Sequence, residues 1–122
     1  MRHHVLLRTL LAALSAAGCA SASSGGLPTA PLVDACPAGR YVAFTIAIDR
    51  SATPPVWGVG ASGQRLVLVW PEGFTLAEAG VLDPSGRVVA RAGQVIDDAM
   101  GGTDGSGADV ICGIGGQVYV KH

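Results

Sequence analysis

From residue 41 onward, hydrophobic and polar positions recur with a period of two. In 41–49, Val42, Phe44, Ile46 and Ile48 share one face, and Ala43, Thr45, Ala47 and Asp49 share the other, which predicts a half-buried strand. Residues 65–70 (RLVLVW) form a continuous apolar run suited to a central strand, and 117–121 (QVYVK) points Val118 and Val120 inward. Asp83-Pro84-Ser85-Gly86 puts Asp, Pro and Gly at the first, second and fourth places of a type I turn, so Val81-Leu82 and Val88-Val89-Ala90 become the arms of a hairpin. Residues 109–114 set Val110, Cys112 and Ile114 on one face, with Cys112 aimed at the core. No window sustains helical periodicity. Thr75-x-x-Glu78 fits a capping box, but Gly80 limits it to a turn or two of helix. Short strands between glycine-rich turns predict an all-β fold, a small antiparallel OB-like barrel with a small β-sandwich as the alternative. Residues 58–63 (GVGASG) read as a loop before the central strand.

The start of the chain follows another pattern. Arg2, His3, His4 and Arg8 make a basic opening, 5–17 an apolar stretch too short to span a bilayer, and Ala16-Ala17-Gly18 a run of small residues before Cys19. Ser15-Ala16-Ala17-Gly18-Cys19 resembles the lipobox of bacterial lipoproteins, in which a peptidase cuts before a cysteine bearing diacylglycerol. The resemblance implies a signal peptide over 1–18 and lipidation at Cys19. It also implies an envelope location, at the outer membrane in a diderm or the outer face of the cell membrane in a monoderm. The competing expectation is an ordinary secretory signal cut near Ala20 or Ala22. Residues 19–35, small and rich in glycine and proline, read as a lipid-anchored flexible linker with an r.m.s. reach of about 20 to 25 Å. The β domain then occupies 36–122.

With Cys19 lipidated, Cys36 and Cys112 remain, and in an oxidising compartment two such cysteines pair. Closing a loop of about 76 residues stabilises by roughly 4.5 kcal/mol in the chain-entropy picture, comparable with the whole net stability of a small domain.

Signal removal takes Arg2 and Arg8 from the eight basic residues and none of the nine acidic ones. The mature chain is mildly acidic, without the clustered Lys and Arg that nucleic acid or a polybasic membrane patch requires. His122 becomes its only histidine. Nucleophilic catalysis lacks an adjacent base, so no enzyme is expected. The glycines of 58–63 match no phosphate-binding motif, and no cofactor is expected. Asp97, Asp98, Asp104 and Asp109 crowd a glycine-rich loop and are weak candidates for calcium, though their spacing is not that of an EF-hand. A carboxylate pair such as Glu72 with Glu78 or Asp83 could do acid–base work only in a cleft. Trp70, in a strand, reads as core. Trp57, beside Pro54-Pro55, reads as an exposed loop aromatic and a possible contact residue.

Trp70-Pro71-Glu72-Gly73-Phe74, then Gly86-Arg87-Val88-Val89-Ala90, Ala92-Gly93-Gln94-Val95, Gly101-Gly102 and Cys112 resemble a set of small bacterial secreted proteins and lipoproteins with W-P-x-G-[FY] and G-x-V-V-A motifs. That set has no established activity and implies no catalytic residue. The expected function is therefore a non-catalytic binding module held to a membrane by its lipid, meeting an envelope protein or glycan and no nucleic acid. The alternative is a small metal-dependent or carboxylate hydrolase using the acidic loop 97–109.

Overall fold

The computed structural model describes residues 25–37, 39 and 41–122, so the signal segment and Cys19 lie outside the described residues. The described residues form an all-β fold, with twelve short strands in three sheets among them. One sheet runs β1 (Thr29–Ala30), β5 (Leu68–Pro71), β11 (Asp109–Ile114) and β10 (Met100–Thr103), with β12 (Gln117–Val118) paired to β11. The second orders β4 (Arg65–Leu66), β3 (Val56–Val59), β2 (Phe44–Ile48) and β9 (Val95–Ile96). The third is a meander of β6 (Thr75–Ala77), β7 (Gly80–Leu82) and β8 (Val88–Ala90). The sheets stay open and do not close into the expected OB-like barrel. Each keeps outer strands that bond on one side only, and closure requires every strand to bond on both.

The period of two is realised where one face meets the core. In β2, Phe44 and Ile46 are buried, with Thr45 and Ala47 half exposed. Val42, expected on the inner face, is 82 % exposed because it precedes the paired strand. The run in β5 buries Leu68 and Trp70 completely. Trp70 stacks near Phe74, centroids 6.2 Å apart, and Phe74 meets Tyr119 edge-on at 4.7 Å. In β11 four successive residues, Ile111 to Ile114, are buried rather than alternate ones, as befits a strand covered on both faces.

Three expectations change. The capping-box segment is not helical: Thr75 pairs with Leu82, Leu76 with Val81 and Ala77 with Gly80, making β6 the first arm of a hairpin. A turn or two of isolated helix cannot offset its nucleation cost, whereas strand pairing here helps bury Val81. The 19–35 linker is not free over its second half. Leu27 is 5 % exposed within the core cluster, the Trp70 and Glu72 amides donate to the Pro28 and Ala30 carbonyls at 2.9 Å, and Val33 bridges Val120. The first sheet is also not purely antiparallel, since β5 lies parallel to both β1 and β11. Cys36 and Cys112 are bonded, with Cα atoms 5.7 Å apart, so the disulfide ties the chain just after β1 to β11.

Candidate functional site

Strand register builds one exposed face. Val95 lies opposite Thr45, Thr45 opposite Val59, and Val59 opposite Arg65, so these four form a row across all four strands of the second sheet. Ala47 opposite Trp57 begins the next row on the same face. The reverse face carries Phe44, Ile46, Val56, Gly58 and Ile96, all buried. Gly58 keeps this face tight, since a Cβ there would stand 3.0 Å from the Phe44 ring. Trp57 therefore stands in a strand, not in a loop as expected, and is half-buried. The Arg65 guanidinium carbon sits 3.9 Å from its ring centroid, a diagonal cross-strand cation–π contact worth about 0.5–1 kcal/mol. Residues 60–63 form the hairpin turn joining Trp57's strand to that of Arg65, closed by the Gly60 amide on the Gln64 carbonyl at 2.9 Å.

The acidic loop does not converge. Asp97 and Asp98 follow β9, Asp104 sits in the β10–β11 turn and Asp109 opens β11. Among the described residues no three His, Cys, Asp or Glu side chains gather as metal ligands. The Asp104 carboxylate accepts the Ser106 amide at 2.8 Å, the Ser106 hydroxyl at 2.6 Å and the Ala108 amide at 3.1 Å. Those bonds, the Ser106 hydroxyl first, lower its pKa, while burial raises that of Asp109.

Two clefts remain. One, of about 370 Å³, brings together Glu72, Asp83, Gln117, Tyr119 and His122, thus joining a carboxylate pair and an imidazole. Asp83, 4 % exposed, is already spoken for. Its Oδ1 accepts from the Ser85 amide and hydroxyl and the Arg87 amide at 2.7–3.0 Å, and its Oδ2 accepts from the Tyr119 hydroxyl at 2.8 Å. Arg87 Nε stands 3.5 Å from Oδ2, and the other end of its guanidinium donates to the Tyr119 oxygen. Burial alone would raise the Asp83 pKa, but the Ser85 and Tyr119 hydroxyls with the backbone amides outweigh it and hold the carboxyl well below the usual range. An ionised carboxylate with its lone pairs occupied is a poor proton acceptor, so Asp83 organises the turn and docks Tyr119.

The second cleft, about 360 Å³, lies between Tyr41, Val42, the 60–62 turn and Asp109. The Tyr41 hydroxyl bonds the Gly102 carbonyl and lies 3.1 Å from that of Val110. Burial first, then the Asp109 charge, push its pKa up to about 12.

The sequence reading missed a repeated device. Asp83-Pro84-Ser85-Gly86 and Asp104-Gly105-Ser106-Gly107 build the same turn: aspartate caps the serine two places on, and glycine takes φ of 90° in one and 91° in the other. The shared D-x-S-G spelling was the available signal. No protein-family profile, curated protein or solved structure matches this chain.

Proposed function

We propose that this is a lipid-anchored protein of the bacterial cell envelope whose disulfide-closed β domain is a non-catalytic binding module. Its contact surface is the exposed sheet face around Trp57, and its partner is an envelope protein or a glycan. The anchoring reading rests on the basic, apolar and small order ending at Cys19. The observation that carries the binding reading is the four-strand row of Val95, Thr45, Val59 and Arg65 beside Trp57. It offers a partly apolar platform with one aromatic ring and one cation, the residue types that dominate contact energies. The rival hydrolase would need Asp104, whose carboxylate is engaged by Ser106 and Ala108.

Two measurements test this. Mass spectrometry of the mature N-terminus should find acylated Cys19, and an unlipidated start at Ala20 or later would refute the anchoring. Capture of cross-linked partners from native membranes, and co-sedimentation with cell-wall glycan, should each be compared between wild type and Trp57→Ala. One of the two should be lost in the variant while its circular dichroism stays native; retention of both removes Trp57 as the contact residue.

A further inference from the structure

The point at which the chain enters the domain is tightly held. Gly25 turns with φ of 64° so close to β6 that a Cβ would lie 2.8 Å from the Leu76 carbonyl oxygen, and Gly26 turns with φ of 86° against the Pro55 ring. Leu27 then enters the core. Two surface segments flank this entry and are bonded to each other: Arg50, from the β2–β3 loop, donates to the carbonyls of Ala77, at the end of β6, and Glu78, in the β6–β7 turn, at 2.8 and 3.0 Å. The segment runs from there to Val33, which meets Val120 and accepts the Lys121 amide.

We infer that the end of the domain formed by the β2–β3 loop and the β6–β7 turn lies against the lipid surface, an orientation that rests on the lipidation of Cys19 proposed above. Because residues 25–33 are fastened to the sheet, only the six-residue span from Cys19 to Gly25 separates a lipidated Cys19 from the domain. Whatever its conformation, that span reaches at most about 20 Å. A domain of this size is about 30 Å across, so turning its opposite end to the bilayer would require the tether to follow the flank for about 50 Å. The end nearest the entry suits close approach. Its loop tip, Ser51-Ala52-Thr53, is small and uncharged, and the neighbouring Asp49 carboxylate turns back onto the Ser51 amide and hydroxyl.

The full lipidated chain, carrying one added fluorophore-labelled cysteine at Thr53→Cys, Ala79→Cys or Lys121→Cys, is placed in phosphatidylethanolamine–phosphatidylglycerol vesicles containing a headgroup-nitroxide lipid. Fluorescence should be lost at positions 53 and 79 and retained at 121. Inserting about twelve Ser and Gly residues after Ser21 should erase that difference, because the tether then outreaches the domain. Equal quenching at all three positions, or quenching strongest at 121, overturns the orientation and leaves lipidation standing. A difference that survives the insertion overturns the short tether as its cause. An unacylated N-terminus, read by mass on the same preparation, overturns both.

Discussion

Asp83 shows how one side chain can hold a turn, a cleft wall and a neighbouring aromatic together. Its carboxylate accepts from three residues and is almost wholly buried, so it must stay ionised for those bonds to persist. Its folded pKa is depressed below the unfolded value, so the unfolded state takes up the proton first as the solution is acidified. The stabilisation is therefore complete above about pH 4 and is lost as pH falls from there toward the folded pKa. Asp83→Asn should cost about 1–3 kcal/mol at neutral pH, as expected for lost bonds to a charged buried group. It should also flatten the acid limb of a stability profile measured by urea unfolding between about pH 5 and pH 2. An unchanged acid limb in the variant would mean that other carboxylates carry it, Asp49 and Asp104 being the others with lowered pKa.

At the scale of elements, the N-terminal segment matters most. Leu27 joins a core that includes Trp70, Phe74 and Val81, and the chain continues into β1 beside β5. Leu27→Ala should cost about 2–5 kcal/mol, the range for emptying a buried leucine site. In a domain this small that lowers Tm by roughly 4–8 °C for each kcal/mol. A freely flexible linker would give no change, so thermal unfolding followed by circular dichroism separates the two. The D-x-S-G turns act at the same scale: each closes its hairpin with bonds made within five residues.

For the whole molecule, the Cys36–Cys112 bond and the β1–β5 pairing fasten the same N-terminal stretch at two places. Reduction releases a constraint worth roughly 4.5 kcal/mol in the chain-entropy picture, a large share of what a small domain has. Tm should therefore fall by tens of degrees under reductant, measured by calorimetry with the thiols trapped afterwards. Trapping of both thiols without reductant or denaturant would show the bond to be absent in the isolated protein.

Features that arise within a few residues were legible in the sequence. The alternation of β2 follows from a two-residue period meeting a single buried face, and the 83–86 turn follows from the preferences of Asp, Pro and Gly. The burial of Trp70 also followed, from an apolar run, and the Cys36–Cys112 pair followed once Cys19 was assigned to lipid. Trp57 was singled out as a candidate but placed in a loop, because the strands that carry Thr45, Val95 and Arg65 and set its surroundings meet it only through register. The strand at 75–77, the parallel placement of β1 and β11 on β5, and the joining of Glu72, Asp83 and His122 in one cleft were decided by tertiary structure. A strand's sequence encodes which face is apolar; which distant edge it completes depends on the edges left unpaired once the other strands have packed.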